Sequence, residues 1–159
     1  MKRSLYPLIG LAVIVLDQIS KLAVRSNMQP GDRIPLIGDW LSFYYVQNTG
    51  TAFSMFEGNK LVTLVLATVL IVICIAFIIS EIRAGRSLVP LLLSCVAAGG
   101  ISNLIDRIAL GFVTDMISCG SFAVFNVADI FVTCGCVILM IVLVSSYGDS
   151  REEGGSDEE

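Results

Sequence analysis

Four apolar runs, Leu5–Val24, Lys60–Ser80, Leu88–Ile108 and Val127–Ser146, leave this chain few ways to fold. About 20 apolar residues suffice to cross a bilayer as a helix, and a spanning segment must satisfy its backbone polar groups internally. Between the runs lie one segment of moderate length, two short connections and a tail. At 55% hydrophobic residues the chain exceeds the roughly 45–50% of a soluble domain. We therefore expect an all-α membrane protein. Its fold is a four-transmembrane-helix bundle with a small β-rich segment outside the membrane, one domain over residues 1–148. Residues 149–159, within "GDSREEGGSDEE", are acidic, Gly/Ser-rich and without apolar anchors, which predicts a disordered cytoplasmic tail.

Lys2 and Arg3 before the first run give it the look of a signal peptide. Asp17 and Lys21 interrupt it, however, and no small-x-small cleavage site follows, so an uncleaved first span is expected. Arg83 and Arg86 lie between the second and third runs and Arg151 follows the fourth, while the connection 109–126 holds only Arg-free and Lys-free sequence. By the positive-inside rule both termini are cytoplasmic, and the first and third connections lie outside.

Polar residues inside the runs gather in clusters. In "DQISK", Asp17 and Lys21 stand at i and i+4, acid first, on one helix face. Taken alone they are a self-neutralising pair that lets the helix end. "WLSFYYV" is aromatic and β-branched and suits a strand, with Trp40, Tyr44 and Tyr45 fitted to the headgroup level. "QNTGTAF" then reads as a turn or a close backbone approach, although a plain hairpin explains it equally.

"GGISNLIDR" ends the third run. Gly99 and Gly100 permit close approach of another backbone, Asn103 and Arg107 share a face, and Asp106 needs a partner other than its neighbour Arg107. In "GFVTD" and "FNVAD", Asp115 follows the third run and Asn126 is placed as the N-cap of the fourth. Asp129 falls at the third helical position, where capping alone could account for an acid. With both termini inside, all of these clusters fall at the outer interface. Scattered solvation would not sort them this way; a single site would.

The chain has no His, which excludes every nucleophile–His arrangement. It also lacks C-x-x-C spacing, which speaks against a zinc site, and Cys74, Cys95, Cys134 and Cys136 read as small apolar fillers within the runs. Two acids that could converge, Asp115 and Asp129, suggest a dyad in which mutual repulsion raises one pKa above the other. The ionised member takes a proton from water and the protonated one polarises a carbonyl. That chemistry needs no cofactor and no metal.

The ordered set "DQISK", "NTGTAF", "GGISNLIDR", "GFVTD" and "FNVAD" strongly resembles the lipoprotein signal peptidases, the signal peptidase II family. The match covers nearly all of the chain except the acidic tail. The resemblance implies a multi-pass aspartic endopeptidase of the bacterial cytoplasmic (inner) membrane, with its site at the outer leaflet. Its substrate is a prolipoprotein, cut immediately before the diacylglyceryl-modified cysteine. It further implies Asp115 and Asp129 as the catalytic pair. Asp17, Lys21, Asn48, Gly50, Asn103, Asp106, Arg107 and Asn126 follow as supporting or substrate-contacting residues. Membrane lipid and a globomycin-type inhibitor are implied partners; nucleic acid is not. "MISCGSFAVF", between the two acids, departs from the family in its short length, in Ala123 where a proline is common and in Met116 where an aromatic often stands.

A small transporter or proton channel is a rival reading, but it calls for polar groups through the full membrane thickness. A structural membrane partner that uses the glycines and asparagines for packing is another, and it predicts that neutralising either acid is mild.

Overall fold

The computed structural model describes residues 5–38, 40–50, 60–120 and 123–155, the side chains of Lys60 and residues 146–155 excepted. Four long helices form: α1 (Leu5–Asn27), α2 (Lys60–Arg83), α3 (Leu88–Ala109) and α4 (Val127–Gly155). Each is long and apolar enough to cross a membrane. Pro7 and Pro90 both sit in a first helical turn, where a missing N–H leaves no carbonyl without its intrahelical donor. α3 packs against α1, α2 and α4 and is the centre of the bundle. Large apolar side chains such as Leu8, Leu70 and Val144 point outward, as a lipid-facing surface requires.

Glycine sets the closest approach. A Cβ on Gly99 of α3 would lie 2.7 Å from the Ala128 carbonyl oxygen of α4, so the two backbones nearly touch there. The expectation that this glycine admits a neighbouring backbone is met.

The β segment is larger than the sequence suggested. Strands β1 (Arg33–Ile37), β2 (Leu41–Asn48), β3 (Val113–Cys119) and β4 (Ala123–Phe125) make one antiparallel sheet in that order. "WLSFYYV" is a strand as expected, but the stretch between the two acids is a hairpin and not a loop. Gly111, at φ 86°, turns the chain sharply off the end of α3 and into β3. Ile117 then pairs with Phe125, so the chain returns along β3 and reaches Asn126 beside Asp115.

One expectation is corrected. Tyr45 does not sit at the headgroup level; it is 3% exposed, on the inward face of β2. Helix α4 runs on to Gly155. Helix elongation adds one hydrogen bond per residue once nucleated, and the glutamates at 152 and 153 are good helix formers. Residues 51–53 of "QNTGTAF", Lys2, Arg3 and residues 156–159 lie outside the described residues.

Candidate active site

All ten residues singled out in the sequence, from Asp17 to Asp129, meet at one end of the bundle. The C-terminal parts of α1 and α3, the N-terminus of α4 and the sheet surround them. They form two layers.

The inner layer is a buried ionic cluster. Asp17 and Lys21 are fully buried and paired at 2.7 Å. Two charges removed from water are stable only when their remaining hydrogen-bonding capacity is filled. Here it is. Lys21 Nζ, with three protons, meets Asp17 Oδ2 at 2.7 Å, Asn103 Oδ1 at 2.8 Å and Asp106 Oδ2 at 3.4 Å. Asp17 accepts from Ser102 Oγ at 2.8 Å and, through Oδ1, from the Ala128 backbone N–H at 2.8 Å. It thereby caps α4 from another helix and places a negative charge against its positive end. The pair does far more than end α1, which continues to Asn27.

Asp106 finds the partners it needs. Its Oδ2 accepts from the Thr114 backbone N–H at 3.0 Å, which pins the start of β3 next to Asp115. Its Oδ1 accepts from Gln18 at 3.1 Å and faces Arg25 at 3.7 Å. Arg107 turns the other way and donates to the Gly50 carbonyl at 3.3 Å.

The outer layer is built from three carboxamides, each aimed at an acid. Asn48 Nδ2 donates to Asp115 Oδ2 at 2.9 Å, and Asn126 Nδ2 donates to Asp115 Oδ1 at 2.7 Å. Asn103 Nδ2 donates to Asp129 Oδ1 at 2.8 Å. An amide can flip unless something fixes which end is the acceptor. Each oxygen here receives a donor that cannot accept in return. The Gly50 N–H meets Asn48 Oδ1 at 3.0 Å, the Lys21 ammonium meets Asn103 Oδ1, and the Asp129 N–H meets Asn126 Oδ1 at 3.0 Å. The Asn48–Gly50 contact is the Asx turn that "NTG" announced.

Asn126 joins the two acids. Its side chain reaches Asp115 while its backbone N–H donates to Asp129 Oδ2 at 3.1 Å. The capping role foreseen for Asp129 is therefore real, and it occupies one carboxylate oxygen without removing the group from the site. Asp129 is half-buried, whereas Asp115 is 2% exposed. Burial first, and the charge of Asp129 second among the influences that raise it, push the Asp115 carboxyl up to about 6. The amides of Asn48 and Asn126 pull the other way and do not outweigh them.

Sequence reasoning passed over Gln18, Ser102, Thr114 and Arg25. Gln18, Ser102 and Thr114 lie inside the quoted motifs, so proximity in sequence was the available signal. Arg25, outside those motifs, was not singled out, although it donates to Thr114 Oγ1 at 3.0 Å.

The family model described as "Signal peptidase (SPase) II" matches residues 9–145. A lipoprotein signal peptidase of Moorella thermoacetica is 36% identical over 146 residues, which is 92% of this chain and 97% of that protein. One from Dehalococcoides mccartyi is 40% identical over 87% of this chain and 90% of its own length. Two solved structures described as bacterial membrane enzymes share the fold. One has a TM-score of 0.84 at 24% identity over 92% of this chain and 91% of its own, the other 0.77 at 26% over 89% and 92%. With ion cluster, carboxamides and paired acids all inside the matched region, this chain belongs to the signal peptidase II family.

Proposed function

We propose that this signal peptidase is an aspartic endopeptidase that removes the signal peptide of a prolipoprotein just before its diacylglyceryl-modified cysteine. The observation that carries the chemistry is Asn126, which holds Asp115 and Asp129 at one site with its side chain and its backbone.

Asp129 is the general base. Its carboxylate is oriented at the N-terminus of α4 by the N–H of Asn126 and the amide of Asn103. It takes a proton from water as the oxygen attacks the scissile carbonyl carbon. Asp115, its carboxyl raised to about 6 by burial and by its neighbour's charge, donates in its protonated form to the carbonyl oxygen. The resulting diol collapses as the peptide C–N bond breaks: one hydroxyl proton returns to Asp115, and the proton gained by Asp129 passes to the leaving amine.

The substrate suits a site at the membrane edge. Each buried CH₂ of a lipid anchor holds the precursor by about 0.8 kcal/mol, so the enzyme must work where the lipid is. A signal-peptide helix has to unwind locally to expose its scissile bond, and groups such as Asn48 and Arg107 can replace the hydrogen bonds it loses. The near end of the sheet then clamps the extended strand. The Lys and Arg placement supports a bacterial inner-membrane setting with both termini cytoplasmic and the site at the outer leaflet. A globomycin-type cyclic peptide would inhibit by occupying the same cleft.

The test is cleavage of lipidated and unlipidated precursor by wild type, Asp115→Asn and Asp129→Asn. Either change should reduce the rate by at least about a hundredfold while the protein still accumulates in membranes. Normal cleavage by either variant refutes the assignment.

A further inference from the structure

β2 and β3 do not pair evenly. Phe43 stands opposite Ile117 and Val46 opposite Asp115, so two residues, Tyr44 and Tyr45, face Met116 alone. This is a β-bulge, which breaks the ladder locally and re-aims the strand. Burial agrees. Ser42 and Tyr45, an odd number of residues apart, are 1% and 3% exposed, whereas an even strand would send them to opposite faces.

The extra residue decides which amide reaches the acid. Continued evenly from Phe43 and Ile117, the ladder would set Tyr45 against Asp115 and Gln47 against Val113, and Asn48 would face the other way. With the bulge, Asn48 pairs with Val113 and shares the face of Asp115, to which its Nδ2 donates at 2.9 Å.

The bulge is held from outside the β2–β3 ladder. The Tyr45 N–H donates to the Asp32 carbonyl at 3.1 Å, and the Gly31 N–H donates to the Tyr45 carbonyl at 2.9 Å. The Tyr45 ring is buried, and Gln47 donates to its hydroxyl at 3.2 Å. Gly31 is the third residue of the turn Gln29–Asp32. The Asp32 N–H closes that turn on the Gln29 carbonyl at 2.9 Å, and the Gln29 N–H donates to Asp32 Oδ2 at 2.7 Å. With Pro30 before it and φ at 96°, Gly31 fills the place in a type II turn that asks for Gly or Asn. A Cβ there meets nothing within 4 Å, so a substitution tests backbone conformation and not packing.

We infer that the turn at Gly31 positions the site: through Tyr45 it holds the β2 bulge, and the bulge turns Asn48 toward Asp115. Gly31 and Tyr45 are positioning residues that act through Asn48, and their effect on cleavage rests on the proposed function.

The test is a double-variant cycle in the full-length protein, read as kcat/KM for lipidated precursor at unchanged helix content. Gly31→Val, whose branched side chain disfavours a positive φ, should slow cleavage at least about tenfold. Added to Asn48→Ala it should cost nothing further, because the amide it aims is already gone. Gly31→Asn should stay within about threefold of wild type. Deleting Tyr44, the residue in excess, should restore cleavage to Gly31→Val, since an even strand then carries Asn48 to the same partner. Gly31→Ala, strained by the same φ, carries the cycle where Gly31→Val does not accumulate. Losses that add to that of Asn48→Ala overturn the inference, as does a folded deletion variant that stays slow. Normal cleavage by Asp115→Asn refutes the proposed function instead, whatever the cycle gives.

Discussion

Asn126 and Asp129 cap each other: the Asn126 N–H donates to Asp129 Oδ2 at 3.1 Å, and the Asp129 N–H donates to Asn126 Oδ1 at 3.0 Å. This is a capping box with Asn and Asp in the usual places of Ser and Glu. It makes α4 begin at Val127 and fixes one carboxylate oxygen of Asp129, so the other is oriented by helix geometry. Structural and functional roles of Asp129 coexist on different oxygens.

Replacing Asn126 separates these roles. Serine keeps an oxygen that can accept the Asp129 N–H but cannot reach Asp115, whereas alanine loses both contacts. We expect Asn126→Ala to be less stable than Asn126→Ser by about 1 kcal/mol, the usual worth of a cap. Both should lose cleavage at least about tenfold, since in both Asp115 Oδ1 is left without its buried donor. Thermal unfolding in detergent and precursor cleavage check the two halves. Full activity in Asn126→Ser would dismiss the bridge between the acids.

Asp115 gives the site a pH signature. With its carboxyl at about 6 and acting as the acid, kcat/KM falls as pH rises through that value. Asn48 donates to Asp115 and so favours its charged form; Asn48→Ala removes that help and moves the falling limb to higher pH. A bound precursor deepens burial and shifts the limb of kcat the same way relative to kcat/KM. Stability follows the matching sign. A carboxyl whose pKa is raised on folding contributes most below the pKa of the unfolded chain, and this is lost as pH rises through about 6. Asp115→Asn should therefore flatten the decline of stability between about pH 4 and pH 7. A rising limb in place of a falling one would make Asp115 the base.

Lys21 acts on Asp129 through Asn103. The ammonium has only protons to offer, so it holds the Asn103 oxygen and turns the amide NH₂ toward Asp129. Lys21→Met strands Asp17 and Asp106 without their buried cation and should cost about 3–5 kcal/mol. Adding Asp17→Asn removes one stranded charge and keeps an acceptor for the Ala128 N–H, so part of the stability returns. Cleavage should not return, because Asn103 Oδ1 has lost its ammonium donor and is held only by the Asn126 amide at 3.1 Å. Recovery of kcat together with stability in the double variant would reduce Lys21 to a structural cation.

Much of this was legible in the sequence because membrane burial is an exacting filter. Four apolar runs fix four helices, and any acid or amide left in or beside them stands out. The i, i+4 pair Asp17–Lys21 and the N-cap at Asn126 are local patterns, and both were found where spacing put them. What stayed hidden was non-local. Nothing in "VTDMISC" distinguishes a loop from a strand until β2 is there to pair with it. The Ala128 N–H is satisfied by a carboxylate 111 residues away, a contact that no spacing rule encodes. Tyr45 was assigned to the membrane surface by residue type, and its inward face became clear only from the register of β2.

Gly99 is where packing and site geometry meet. A Cβ there would stand 2.7 Å from both the Ala128 carbonyl oxygen and Val132 Cγ2. The valine could rotate away, but the carbonyl belongs to the first turn of α4, whose Ala128 N–H is held by Asp17 and whose next residue is Asp129. Gly99→Ala must therefore move α4 itself, with a loss of about 1–3 kcal/mol for overpacking and a displaced Asp129. Gly100→Ala is the internal control. Its added Cβ meets only the Ile71 side chain, at 3.3 Å, which can give way without moving backbone. We expect Gly99→Ala to unfold at lower temperature and cleave at least about tenfold more slowly, since sub-ångström placement governs such chemistry, while Gly100→Ala stays close to wild type. Equal behaviour of the two variants would mean that the α3–α4 contact does not set the position of Asp129.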